Sequence, residues 1–138
     1  MLMTVEQVQG KAPVTILKLQ GDLDGSNYLA VIDKVKELYT AGARRLLVDM
    51  SEMHFMSSAG LVALHSMVLL FRGQTLPEGE LGWDSIHAIE RDQESSDQKW
   101  VKLLNPQPRV SRTLEVTGLI RFFEVHTDEA TAVASFGM

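Results

Sequence analysis

Residues 46–64, LLVDMSEMHFMSSAGLVAL, constrain the fold of this chain more than any other stretch. The apolar run Leu46-Leu47-Val48 has the pattern of a buried strand that ends at Asp49. A polar loop follows, then Phe55-Met56, then Ser57-Ser58, and Ala59-Gly60 open an apolar helix. A strand that hands over to a helix in this way belongs to an α/β layer. The loop at the carboxyl end of such a strand is where open α/β sheets place their binding sites.

The rest of the chain carries the same alternation. Met3 to Gln9 and Val14 to Leu19 read as strands, and the turn Gly10-Lys11-Ala12-Pro13 makes them an antiparallel hairpin. After Gly21-Asp22-Leu23-Asp24-Gly25, Ser26 is placed to cap a helix running to about Thr40. Its apolar stripe is Leu29, Ile32, Val35, Leu38 and Tyr39. Gly42 closes that helix. A helix between the strands Val14 to Leu19 and Leu46 to Asp49 predicts a right-handed crossover and parallel pairing. The second helix is expected from about Ser58 to Arg72. It is apolar nearly all round, so it is either deeply packed or covered by a partner.

From Thr75 to Gln98 the chain turns acidic and polar, with a small apolar patch at Trp83, Ile86 and Ile89. This predicts a long inserted loop with a short helix around Asp84 to Arg91. Lys99 to Leu104 returns to strand character, and Pro106 and Pro108 make a turn. Arg109 to Thr117 reads as a short helix ended by Gly118, and Ile120 to Val125 as the last strand. Thr127 is placed as the N-cap of a final helix to about Phe136, with Asp128 and Glu129 in the turn where the helix dipole favours acids. The expected fold is α/β. Residues 1–138 form one domain with a mixed sheet: an N-terminal antiparallel hairpin, then parallel strands connected by helices, with the insert at 75–98 as a decoration.

Composition narrows the function. A net charge of −5 lacks the basic footprint of a nucleic-acid binder. With no cysteine, disulfides and thiolate zinc sites are ruled out. The longest apolar run, Leu61 to Phe71, is interrupted by His65-Ser66 and is too short to span a membrane. The N-terminus lacks the pattern of a signal peptide, so a cytoplasmic protein is expected. Neither G-x-G-x-x-G nor G-x-x-x-x-G-K-[ST] occurs, and His54, His65, His87 and His126 show no H-E-x-x-H spacing, so no cofactor or metal is expected. Asp49, His54 and Ser58 supply the residue types of a hydrolase triad. Residues so close in sequence seldom reach triad geometry, and the G-x-S-x-G elbow is absent, so no enzyme is expected. His54 is expected to lie exposed on its loop and His65 to be packed within its helix.

Parallel pairing would bring the loops after the second and third strands to one end of the sheet. Asp22, Asp24, Ser26 and Asn27 then stand near Ser57 and Ser58. Two readings are open. Ser26 and Ser57 cap helices while Asp22 and Asp24 make turns, or the acids and serines together form a switch site.

Three stretches resemble the STAS domains, the bacterial anti-sigma-factor antagonist family. Gly21-Asp22-Leu23-Asp24 is similar to the family's G-x-L-D after the second strand. Asp49 to Leu61, DMSEMHFMSSAGL, is similar to its D-x-S-x-x-x-F-x-[DS]-S-x-G-L signature, and Leu114 to Leu119 to its late L-x-x-x-G-L. Order and spacing agree over nearly the whole chain except Thr75 to Gln98. The resemblance implies a non-enzymatic switch whose partner is both a serine kinase and an anti-sigma factor. It places the phosphorylated residue at Ser58, with Ser57 as the alternative if the register slips. It places the partner surface at Asp22, Asp24, Ser26, Asn27, Ser57, Ser58 and Gly60. Many switching members have Asp where Ser57 stands and Ser or Thr where Ala59 stands. The competing implication is a non-phosphorylated STAS scaffold, or a transporter-associated or ligand-sensing interaction module. A homodimer is left open.

Overall fold

The structure is a computed structural model and describes residues 1–73 and 98–137. Its five strands form one sheet in sequential order: β1 (Leu2–Gln9), β2 (Pro13–Gln20), β3 (Leu46–Asp49), β4 (Val101–Leu104) and β5 (Val125–His126). β1 and β2 are the expected antiparallel hairpin, in register from Leu2 opposite Gln20 to Gln9 opposite Pro13. β2, β3, β4 and β5 pair in parallel, with Thr15 opposite Leu46, Leu46 opposite Val101, and Leu103 opposite Val125.

The strand pleat divides the core between the two faces. Leu17, Leu19, Leu46, Val48, Val101 and Leu103 point to one face, where they meet α1 (Tyr28–Thr40), α2 (Ser58–Phe71) and α3 (Pro108–Thr117). Val14, Ile16, Leu47 and Leu104 point to the other, under Ala132, Val133 and Phe136 at α4 (Glu129–Ser135). Helix α2 lies almost wholly inside the first layer, with every residue from Gly60 to Val68 buried. Its uniformly apolar sequence is therefore accounted for by packing within the chain, and it does not offer a bare face to a partner.

Several local expectations are corrected. Ser26 is not the cap of α1; the helix begins at Tyr28 after Asn27. The Ser26 hydroxyl donates instead to the Asp24 carboxylate. Leu29 does not join the core stripe but stands 52% exposed on the first turn, and Val31 is buried in its place beside Ile32, Val35 and Leu38. The segment Ile120 to Val125 is not a strand. A 3-10 turn covers Leu119–Phe122, and only Val125 and His126 pair with β4. Phe122 and Phe123 are both buried, so consecutive side chains go inward where a half-buried strand would alternate them. The cap of α4 is Asp128 and not Thr127, its carboxylate accepting the Thr131 N–H at 2.8 Å. Gly118 does end α3, at φ +78°, the left-handed conformation that favours glycine.

The expected helix around Asp84 to Arg91 and the patch of Trp83, Ile86 and Ile89 lie outside the described residues, as does His87. Gln98, placed at the end of the insert, belongs to the packed domain. Its buried amide donates to the carbonyls of Val101 (2.7 Å) and Phe122 (2.6 Å) and accepts the N–H groups of Trp100 and Val101.

Candidate functional site

Parallel pairing of β2 and β3 does not stop where the strands end. The loops that leave them continue side by side, stitched by backbone hydrogen bonds. Gly21 N–H donates to Glu52 O (3.0 Å), Leu23 N–H to Phe55 O (2.9 Å) and Ser57 N–H to Leu23 O (2.9 Å), with Leu23 and Met56 forming a parallel bridge. Leu23 and Met56 turn inward and are buried at 0% and 2% exposure. Their neighbours Asp22, Asp24 and Ser57 flank that seam, and Ser58 follows as the first residue of α2. This is how segments far apart in sequence come to one end of the sheet.

Gly60 is buried directly beneath the seam. A Cβ at this position would stand 2.3 Å from Met56 Cγ and 3.1 Å from Leu23 Cγ. Its place in the site is therefore to let the helix approach the bridge closely, below the accessible surface.

The acidic loop is internally braced. Asn27 Oδ1 accepts the Asp24 N–H (3.0 Å) and its amide donates to Asp22 O (2.7 Å). Asp24 Oδ1 accepts both the N–H and the hydroxyl of Ser26. The Ser26 hydroxyl, then its N–H, hold the Asp24 carboxyl below the usual carboxylate range. Asp22, Gly25 and Ser26 are exposed. The loop thus presents a fixed, negatively charged rim.

The serines behave differently from ordinary caps. Ser57 occupies the cap position with extended backbone (φ −85°, ψ −179°), but its side chain makes no capping hydrogen bond. Its carbonyl instead takes the Gly60 N–H at 2.9 Å. Ser58 is exposed, and neither hydroxyl bonds to another described residue. The N–H groups of Ser58 and Ala59 are the first of α2 and have no intrahelical acceptor. A hydroxyl at the positive end of a 14-residue helix, open to solvent and without a bonding duty, is chemically free to be modified.

Three residues at this end carried no sequence signal for the site. Arg109, at the start of α3, places its guanidinium 5.0 Å from the centre of the Phe55 ring. Beside it, Gln107 donates to Ser51 O at 2.7 Å, so the β3–α2 loop is held from the α3 side as well. Leu29 adds an exposed apolar side chain next to the acidic loop.

The triad residues are not assembled. Asp49 accepts the Ser51 N–H at 3.0 Å, as a turn residue does, and exposed His54 makes no hydrogen bond to a described residue. His65 is buried at 4% exposure, with its ring 6.4 Å from that of Phe122. Among the described residues, no helix is long and apolar enough to cross a membrane.

The family model of the STAS domain matches residues 6–75, just over half of the chain and the stretch that contains both stitched loops. No curated protein matches the sequence. Among solved structures, an anti-sigma factor antagonist from Mycobacterium paratuberculosis has a TM-score of 0.68 at 16% identity, covering 97% of this chain and 92% of that one. The anti-sigma factor antagonist SpoIIAA in its unphosphorylated form gives 0.60 at 19% identity, covering 99% and 98%. The Bacillus cell fate determinant SpoIIAA in the phosphorylated form gives 0.55 at 16%, covering 94% and 96%. At such identities the likeness speaks for the fold.

Proposed function

The chain belongs to the STAS domain family, and from that premise we propose that residues 1–138 form one such domain acting as a non-enzymatic anti-sigma-factor antagonist. Its partner is an anti-sigma factor of the serine-kinase type, and its switch is phosphorylation of Ser58. The observation that carries the proposal is the exposed, unbonded Ser58 hydroxyl at the mouth of α2, set beside the braced acidic loop. Ser57 is the alternative acceptor. Structural neighbours described as anti-sigma factor antagonists, one of them in a phosphorylated form, support the same reading.

The physics of the switch follows from the site. A phosphate adds about −1.5 to −2 charges and three strong acceptors. In the free protein it meets the unpaired N–H groups and positive dipole end of α2, so the fold tolerates it. In a complex it would be pressed, desolvated, against a partner that has fitted itself to Asp22, Asp24 and Ser26. Stripping water from an unpaired ion costs several kcal/mol. Changing a complex from almost fully bound to almost fully free takes about 5.5 kcal/mol. One buried phosphate is of the right size.

The test is incubation with the cognate kinase and ATP, followed by intact-mass measurement. A gain of one phosphate that disappears in Ser58→Ala supports the proposal. A phosphate retained in Ser58→Ala and lost in Ser57→Ala moves the switch by one residue. No gain favours a permanently unphosphorylated scaffold, a reading that the buried α2 leaves without an uncovered apolar helix to explain.

A further inference from the structure

The parallel strands also gather their amino-terminal ends, at the edge of the sheet opposite Ser58. Arg45 immediately precedes β3, Lys99 and Trp100 precede β4, and Glu124 precedes β5. Backbone bonds hold these ends together: Thr15 N–H to Arg45 O (3.0 Å), Leu46 N–H to Trp100 O (2.8 Å) and Leu103 N–H to Glu124 O (3.0 Å). Between them opens a cleft of about 400 Å³. Clefts of this size hold small organic ligands.

The described lining of the cleft is mostly cationic. Among the described residues, Arg44, Arg45, Lys99 and Lys102 all line it against the one carboxylate of Glu124. The four cations are not equivalent. Lys102 is 4% exposed and fixed as the floor. Its ammonium pairs with Glu124 at 3.1 Å, donates to Ser135 Oγ at 2.8 Å, and lies 4.7 Å from the centre of the Phe136 ring. Arg44 is fixed at the rim, stacked 3.9 Å over Tyr39 and donating to the Tyr39 and Ala43 carbonyls. Arg45 and Lys99 pair with no carboxylate among the described residues. Trp100, 41% exposed, supplies a flat apolar wall next to them. Unpaired cations beside an aromatic plane recognise an anion attached to a flat apolar body.

We propose that this cleft is a second binding site, distinct from the Ser58 end, for a small organic phosphate. The phosphate sits between Arg45 and Lys99, and the apolar part lies against Trp100 and Phe136. Lys102 and Glu124 position the floor and leave the two free cations to the ligand.

The test uses the full chain at low salt, with phenyl phosphate, inorganic phosphate and benzoate as probes in isothermal titration calorimetry. Phenyl phosphate should bind saturably and about tenfold more tightly than inorganic phosphate. The double variant Arg45→Ala/Lys99→Ala should weaken phenyl phosphate by about tenfold or more at an unchanged Tm, as expected for lost charge-assisted bonds. Trp100→Ala should bring phenyl phosphate down to the level of inorganic phosphate. The site is refuted if no probe saturates by about 10 mM, or if the double variant binds as the parent does. Benzoate binding as tightly as phenyl phosphate would overturn the assignment to phosphate.

Discussion

Gly60→Ala probes the seam on which the whole Ser58 end rests. The added methyl would stand 2.3 Å from Met56 Cγ, 3.1 Å from Met56 Sδ and 3.1 Å from Leu23 Cγ. Carbon atoms in good contact sit about 3.5–4.0 Å apart, so Met56 must yield by more than 1 Å. It has nowhere to go, because Met56 is 2% exposed and Leu23 is fully buried. Overpacking of this kind costs about 1–3 kcal/mol. Alanine returns at most about 1 kcal/mol of helix propensity, and less in a first turn. The net destabilisation is about 1–2 kcal/mol, or a fall of about 3–8 °C in Tm for a chain of this length. Urea and thermal unfolding measure it. Amide exchange gives the local readout: the Leu23 and Ser57 N–H groups, which cross the seam, should exchange faster in the variant. A variant as stable as the parent, with both amides still protected, would show slack in the bridge and refute the claim that packing locks the two loops together.

Further outcomes can be checked on the same protein. Leu29→Ser should change stability by no more than about 0.5 kcal/mol, as for surface positions, while weakening partner binding; a loss typical of a core position would restore Leu29 to the α1 stripe. Gln98→Ala leaves buried backbone groups of Val101 and Phe122 without their partner and should cost about 2–4 kcal/mol in urea unfolding. For Glu124, burial pushes the carboxyl up, but its bonds and ion pair with Lys102 and His126 outweigh this and hold it below the usual range. The stability it contributes is thus present above the ordinary glutamate value of 4.5 and is lost as pH falls through the lower folded value. Glu124→Gln should flatten that acid limb of a Tm-against-pH curve, and an unchanged limb would show that the pair does not contribute.

Much of the fold was written in periodicity and punctuation. The apolar run of β3, the hairpin turn at Gly10 to Pro13 and the glycine at the end of α3 each have one economical structural meaning, and the family signature singled out the Ser58 end as the candidate site. What escaped was context. Ile120 to Val125 is a short apolar run, and such runs do not distinguish a strand from a buried turn by period alone. Leu29 fits the α1 stripe by spacing, yet the stripe that is buried runs through Val31, Ile32, Val35 and Leu38 and leaves Leu29 outside it. Lys102 sits in a strand whose neighbours are all buried, and nothing local reveals that its charge is met by Glu124 and Ser135 from elsewhere in the chain. The serines were legible as a pair at a helix start, but not that both hydroxyls are left without a capping bond.

The central claim is that charge placed on the Ser58 oxygen releases a partner without disturbing the domain. Calorimetric titration of the cognate anti-sigma factor into the unphosphorylated and the stoichiometrically phosphorylated protein tests it most directly, with circular dichroism and Tm recorded on both. The expected result is a loss of affinity of about 10⁴-fold with the fold and Tm retained. Equal affinity for the two forms, or a loss of affinity accompanied by unfolding, would contradict it.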